Sequence, residues 1–129
     1  MDVLIETAFV QRCIKKEYQE RLLFTLQSPK RRQKAFSRFA HDCETILQKG
    51  YRKLSVSAFM DELTSYSQKE QCYLIGDHLQ DTQTMPLAEA VELCQSSYMP
   101  IILVSPSFVL IKPEVEGKSP DLYFYANRM

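Results

Sequence analysis

Residues 100–111 read PIILVSPSFVLI and carry the strongest structural signal in the chain. Pro100 precedes an unbroken apolar run at 101–104, which is typical of a strand that is covered on both faces and lies in the middle of its sheet. A polar Ser-Pro-Ser link at 105–107 separates this run from a second apolar run at 108–111. The pattern predicts a β-hairpin of two buried strands.

Two further strands are predicted on either side of this hairpin. The apolar residues Cys72–Ile75 form one of them, and the aromatic segment at 122–125 forms the other near the end of the chain. Between them, Pro86 suits the first position of a helix from Leu87 to about Gln95, where apolar residues recur at helical spacing. These elements predict a small mixed or antiparallel sheet of about four strands with one covering helix.

The N-terminal part has a helical pattern instead. Asp2 can cap a first helix that runs to about Leu26, with apolar residues at steps of three, four or seven. A break near Lys15-Lys16 is the alternative. Ser28-Pro29 is a restart signal for a second helix to about Lys49, and Gly50 follows it at the usual helix-ending position. Because the link is short, we expect the two long helices to pack as an antiparallel hairpin.

A third, shorter helix is predicted through Tyr66, capped by Ser55 or Ser57. The order of elements indicates the α+β class: an N-terminal antiparallel helical hairpin and a short third helix packed on the four-stranded sheet. We expect one domain over residues 1–129, with a helical part at about 1–68 and an α/β part at about 70–129.

Composition limits the class of protein. The chain has 129 residues, of which 45% are hydrophobic and 25% charged, so it can build one ordinary core. It contains no apolar run of about 18 residues and does not begin with a secretory signal pattern, so we expect a cytoplasmic protein. The cysteines are widely spaced and form no CxxC pair, which predicts buried thiols without disulfide, metal or cofactor: Cys13, Cys43, Cys72 and Cys94.

Charge is distributed unevenly although the net charge is zero. Residues 28–53 carry a surplus of six positive charges, and residues 54–129 carry a deficit of six. On the second predicted helix, a basic stripe follows steps of three, four and three: Arg31, Lys34, Arg38 and His41. Three interpretations are open: the stripe pairs with the acidic half of the chain, meets an acidic protein partner, or contacts nucleic acid.

Other residues are candidates for binding or chemistry. Tyr123 and Tyr125 should share one face of the last strand, and ordinary covering of the sheet is the preferred interpretation of that face. If Phe124 is in the core, the two tyrosines are exposed, and on that alternative we assign them to partner binding. In the segment after the strand at 72–75, Asp77, His78 and Asp81 have metal-ligand chemistry, but their spacing fits no standard site and a solvated turn is the preferred interpretation. The two aspartates are therefore assigned to partner binding.

The histidine of the basic stripe offers another site. His41 lies one helical turn from Arg38, which suggests a small hydrolase or nuclease as one hypothesis. The preferred interpretation is a polar helix residue that hydrogen-bonds locally or pairs with an acid. The sequence has no Walker loop, GxGxxG, GxSxG or HExxH motif.

We therefore expect a non-enzymatic protein-binding module, such as an immunity or inhibitor protein that neutralises a toxin or enzyme through charged patches. A nucleic-acid binder that uses the basic stripe is the first alternative, and a hydrolase around His41 is the second. An acidic face for a basic partner would come from a set of carboxylates: Asp61, Glu62, Asp77, Asp81, Glu89, Glu92, Glu114, Glu116 and Asp121.

Overall fold

The computed structural model describes residues 1–77, 79–96, 99–114 and 121–126. Its centre is a six-stranded antiparallel sheet with the strand order β1-β6-β5-β4-β2-β3. The strands are β1 Arg52–Leu54, β2 Gln71–Ile75, β3 Thr84–Pro86, β4 Ile101–Val104, β5 Phe108–Lys112 and β6 Leu122–Ala126. The described helices are α1 Val3–Cys13, α2 Lys16–Leu26, α3 Arg32–His41, α4 Cys43–Ile46, α5 Val56–Glu62 and α6 Leu87–Ser96, with a 3-10 turn at Leu63–Ser65. The α+β class is confirmed.

The predicted hairpin at 100–111 is confirmed as β4 and β5. The two strands pair antiparallel from Ile101 opposite Lys112 to Val104 opposite Val109. Both lie inside the sheet, between β6 and β2. Apart from the half-buried Val104, their side chains are buried on both faces, as the unbroken apolar pattern predicts.

Helices cover both faces of the sheet, which produces two apolar cores. Helices α1–α4 pack on one face, where Phe9, Val10 and Phe39 meet strand residues such as Ile102 and Tyr125. Helices α5 and α6 pack on the other face with the alternate strand residues, among them Leu74, Leu103, Leu110 and Phe124. The chain is therefore a three-layer arrangement with the N-terminal helices on one side only.

The predicted hairpin of two long helices is wrong, because both helices are interrupted. Ile14 has an extended backbone and forms a β-bridge with Leu47, and this pairing ends α1 and α4 at the same level. Two hydrogen bonds form the bridge, from Lys15 N to Ile46 O and from Gln48 N to Cys13 O. Both bridge side chains are buried, so the extended conformation is held by core packing that helical periodicity does not encode.

The second predicted helix also begins later than expected. Residues 28–31 form a turn, and α3 starts at Arg32 and not at Pro29. At the other end, Asp42 leaves helical geometry and separates α3 from the single turn of α4. The N-terminal part therefore consists of four shorter helices rather than a pair of long ones.

The expected count of four strands is wrong because two short edge strands join the sheet. Strand β1 pairs with β6, and β3 pairs with β2. Each has only three residues and no apolar alternation, so the sequence carries little signal for it. Arg52 and Lys53 on β1 and Pro86 on β3 are typical of edges that must not recruit further strands.

Several local predictions are confirmed. The carboxylate of Asp2 accepts a hydrogen bond from Ile5 N at the start of α1. The hydroxyl of Ser55, rather than Ser57, accepts from Ala58 N at the start of α5.

In the described part of the chain, no helix has the length and apolar character needed to cross a membrane.

Candidate binding groove between α2 and α3

Three members of the basic stripe line one groove. Arg31, Lys34 and Arg38 are exposed and lie along the side of α3 that faces α2. His41 does not line the groove, because it stands at the end of α3 with its side chain 77% exposed. There His41 Nδ1 lies 3.7 Å from a carboxylate oxygen of Glu114. The stripe is thus divided into a groove-lining part and a histidine at the surface.

The groove results from the helical repeat of two neighbouring helices. It has a volume of about 780 Å³ and is open to solvent between α2 and α3, with α4 at one end. Positions three or four apart share one face of a helix, and the lining residues have this spacing. They are Glu17, Tyr18, Arg21, Leu22, Phe24 and Thr25 from α2, Arg31, Lys34, Ala35, Arg38, Phe39 and Asp42 from α3 and its ends, and Thr45 and Ile46 from α4.

Apolar side chains form the floor of the groove and part of its rim. Phe39 is buried, and Leu22 and Ile46 are half-buried beside it, so the floor is continuous with the core. On the rim, Phe24 is 63% exposed and the Arg31 guanidinium lies 5.7 Å from its ring centre. Tyr18 is a second, partly exposed aromatic residue. An exposed phenylalanine in a lined groove is typical of a contact surface.

The α2 side of this groove is not identified by the sequence pattern. Helical spacing places Tyr18 on the inward face of the first predicted helix, and it does not single out Phe24 or Arg21. The positions of Phe24 and Arg21 relative to the predicted apolar face give only a weak indication that these residues line a groove. The packing of α2 against α3 shows that these residues share a surface with the basic stripe.

Positive charge dominates the groove. Four basic side chains line it, and they face two carboxylates, Glu17 and Asp42. Within the described ranges, none of the four forms an ion pair: Arg21, Arg31, Lys34 and Arg38. Their charges are therefore available to a ligand, apart from screening by salt.

One interpretation of the basic stripe is that it pairs with the chain's own acidic residues. In the structure, the neighbouring residue Arg32 forms such pairs. Its guanidinium donates to both oxygens of Glu6, at 2.7 and 2.6 Å, and to both oxygens of Asp81, at 2.9 and 2.5 Å. It also donates to Leu26 O at 3.0 Å. Burial by itself lowers the pKa of Arg32, but the bonds to Asp81 and Glu6 outweigh it and hold that pKa above its ordinary value.

This buried cluster includes a tyrosine. The Tyr73 hydroxyl donates to Glu6 Oε2 at 2.6 Å and accepts from the backbone N–H of Asp2 at 3.0 Å. Burial, with the bond to Glu6, raises the pKa of Tyr73. The cluster ties α1, α3 and the β2–β3 connection together, so one arginine does join the helical part to the sheet.

The assignment of Asp81 to a partner surface is wrong. Its carboxylate pairs with Arg32 and also accepts from Gly76 N at 3.2 Å, so it is engaged inside the protein. Asp77 is half-buried, and its Oδ1 has no hydrogen-bond partner among the residues described. His78 lies outside the described residues. In the part of the chain that is described, no three potential metal ligands cluster together.

The expected exposure of Tyr123 and Tyr125 is also wrong. Both are buried under the α1–α4 layer, which covers the face of the sheet that they share. The Tyr125 hydroxyl donates to Gln48 O at 2.5 Å, and the Tyr123 ring packs edge-on against Tyr51 with centres 5.0 Å apart. Burial raises the pKa of both phenols. These tyrosines are core residues because a helical layer covers each face of the sheet.

Fewer carboxylates are available for the expected acidic face than the sequence suggests. Glu62 pairs with Arg52 at 2.8 Å, Glu114 lies near His41, and Asp81 is taken by Arg32. Glu116 lies outside the described residues. Exposed acids without a described ion pair include Asp61, Glu89, Glu92 and Asp121.

All four cysteines are buried free thiols, as predicted. Burial raises the pKa of each to about 12: Cys13, Cys43, Cys72 and Cys94. A thiol with so high a pKa is a poor nucleophile and a poor metal ligand at neutral pH. The thiols contribute to packing and add no reactive group to the groove.

Comparison with known proteins adds no relative. No protein-family model, no curated protein and no solved structure matches the chain. The groove must therefore be interpreted from its own residues.

Proposed function

We propose that this protein is a non-enzymatic protein-binding module that recognises an acidic partner through the groove between α2 and α3. The observation that supports it is the contrast between Arg32 and the basic residues near it in the chain. Arg32 is buried and paired with two carboxylates, whereas Arg31, Lys34 and Arg38 stay exposed and unpaired among the described residues. Like charges held together in one groove repel each other, and an acidic partner relieves that repulsion.

A protein partner fits the groove better than nucleic acid does. Its floor is apolar, and Phe24 and Tyr18 add apolar surface at the rim, so a ligand must offer apolar groups as well as negative charge. Glu17 and Asp42 would repel a continuous phosphate backbone along the groove. A sequence pI of 6.7 is also far from the strongly basic values of most nucleic-acid-binding domains.

An inhibitor or immunity protein is the narrower form of this proposal. Such proteins associate fast with one partner, and a concentrated charged surface steers that encounter. The groove favours a partner whose contact surface is acidic, rather than the basic active site that an acidic inhibitor would cover. Four buried free thiols fit a reducing compartment, which supports the cytoplasmic location that we propose.

The test is affinity capture from the native host with matched charge reversals. The groove variant is Arg31→Glu/Arg38→Glu, and the control is Lys49→Glu/Lys69→Glu, which changes net charge equally at exposed positions outside the groove. Circular dichroism first establishes that both variants are folded. We expect a discrete protein to bind the wild type and the control but not the groove variant.

Other results would favour one of the alternative functions or refute the proposal. Capture of nucleic acid, removed by nuclease treatment, would favour the nucleic-acid alternative. Turnover of RNA, DNA or phosphoesters that His41→Ala abolishes while the fold persists would favour a hydrolase. If no protein is enriched on the wild type over the groove variant, the proposal fails.

A further inference from the structure

Three basic residues of the groove are regularly spaced along the axis of α3. Arg31, Lys34 and Arg38 are separated by three and four residues, so they lie on one side of α3 and span about 10 Å at 1.5 Å per residue. A second helix laid alongside α3 would present its own residues at i, i+3 or i+4, and i+7 with the same rise. Carboxylates at those positions would each meet one base.

The floor of the groove requires an apolar stripe on the same ligand. Leu22, Ala35, Phe39 and Ile46 form it, and Phe24 stands at the rim beside Arg31. The 11-residue helix α2 is about 16 Å long, which is three helical turns. A groove between two helices, with an apolar floor and charged rims, is a common receptor for an amphipathic helix.

The charges also vary along the groove. Helix α3 comes after α2 and a short turn at 27–31, so Phe24 and Arg31 lie at the turn end, and Glu17 and Asp42 lie at the far end. The groove therefore attracts acidic residues of a bound helix near the turn and repels them at the far end. This gradient selects one direction for the ligand.

We propose that the groove binds an amphipathic helical segment of the partner, with acidic residues at i, i+3 or i+4 and i+7 and large apolar residues on the adjacent stripe. This inference rests on the proposed function and specifies its ligand. The acids pair with the bases of α3, the apolar stripe packs on the floor, and a large apolar residue contacts Phe24. A neutral or basic residue of the ligand faces Glu17 and Asp42.

A second copy of this chain fits the groove less well. The exposed acids Glu89 and Glu92 of α6 have helical spacing, so α6 is the obvious acidic helix within the described residues. Its apolar side is already used, because Leu87, Ala90, Val91 and Cys94 are buried against the sheet. Helix α6 thus offers charge without the apolar stripe that the floor requires.

The experiment is a selection from a display library of random peptides of about 14 residues, roughly four helical turns. The baits are the wild type, the groove variant Arg31→Glu/Arg38→Glu and the control Lys49→Glu/Lys69→Glu. We expect the wild type and the control to enrich acidic peptides with apolar residues at helical spacing, and the groove variant not to enrich them. No enrichment, or the same peptides on all three baits, overturns the inference.

Affinity measurements then examine one enriched peptide by fluorescence anisotropy. We expect the groove variant and Phe24→Ala each to weaken binding about tenfold or more, while the control changes it less than about twofold. A scrambled peptide of identical composition should bind at least about tenfold more weakly, since it loses the helical spacing. Equal binding of the scrambled peptide overturns the inference, because charge alone would then explain the affinity.

Two further outcomes identify a different occupant. Tighter binding of an oligothymidylate of about 12 nucleotides than of any selected peptide overturns the inference in favour of nucleic acid. A dimer of the wild type in light scattering that the groove variant loses overturns it in favour of a second copy. If capture from the host depends on the groove but the selection fails, the partner binds as a folded surface, so the proposed function stands and the helical ligand does not.

Discussion

Replacing Arg32 by leucine should destabilise the protein far more than the same change at its neighbour Arg31. The Arg32 side chain is only 9% exposed, and it neutralises Glu6, which is 3% exposed, and Asp81, which is 11% exposed. The leucine variant retains both carboxylates and removes their only described basic partner. A buried charge without its partner costs much more than a surface charge does.

The expected size of the loss is set by this burial. Breaking a buried pair by removing one partner typically costs about 3–5 kcal/mol, a large share of the roughly 5–15 kcal/mol by which most domains are stable. Arg31 is exposed and contacts the ring of Phe24 at 5.7 Å, so Arg31→Leu should change the free energy of unfolding by about 1 kcal/mol or less. The two variants make the same substitution at adjacent positions, which differ in burial and in ion pairing.

The assay is urea unfolding followed by circular dichroism, because the chain has no tryptophan. The urea midpoint of Arg32→Leu should fall at an unchanged slope. A triple variant, Glu6→Gln/Arg32→Leu/Asp81→Asn, should recover part of the loss, since it removes the unpaired charges and keeps acceptors for Tyr73 and Gly76. The reasoning is refuted if Arg32→Leu costs less than about 1 kcal/mol, or if the triple variant is no more stable than the single one.

Three further predictions concern stability, each measured by urea unfolding. Burial raises the pKa of the thiols from 9.0 to about 12, so their contribution is complete below pH 9 and is lost as the pH rises toward 12: Cys13, Cys43, Cys72 and Cys94. Between about pH 9 and 12, each thiol should lower the free energy of unfolding by up to about 1.4 kcal/mol per pH unit, and a pH profile without a decline in that range would contradict it. Ser55→Ala should cost about 1 kcal/mol through loss of the α5 cap, whereas Ser57→Ala should cost less than about 0.5 kcal/mol; equal losses would count against the cap. Gly50 has φ +116°, so Gly50→Ala should cost about 1–3 kcal/mol, while Gly76→Ala, whose Cβ would meet nothing closer than 3.7 Å, should cost less; the reverse order would contradict the strain argument.

Elements with a strong local pattern were predicted well. The hairpin of β4 and β5, the caps Asp2 and Ser55 and the four buried thiols all depend on residue types within a few positions or on composition. Periodicity failed where distant chain segments meet. The first predicted helix breaks at Ile14 because Ile14 pairs with Leu47, 33 positions away, and no pattern within the helix signals that pairing.

The candidate site was predicted only in part. The spacing of Arg31, Lys34 and Arg38 identified one wall of the groove, and the structure adds the opposite wall with Arg21 and Phe24. The tyrosines of β6 were misplaced because strand alternation tells which residues share a face but not whether a helix covers that face. A second covering layer is a property of the whole chain.

The sequence alone determined the α+β class, the central apolar strands and the presence of a basic stripe, because these depend on side-chain type and on spacing along one element. Only the tertiary structure decided which of the two arginines at the start of α3 is buried. Arg31 and Arg32 are adjacent in the chain, and the carboxylates that pair with Arg32, from Glu6 and Asp81, lie 26 and 49 positions away. Long-range burial, which no local pattern records, therefore separates the arginine that joins the helices to the sheet from those whose side chains stay exposed.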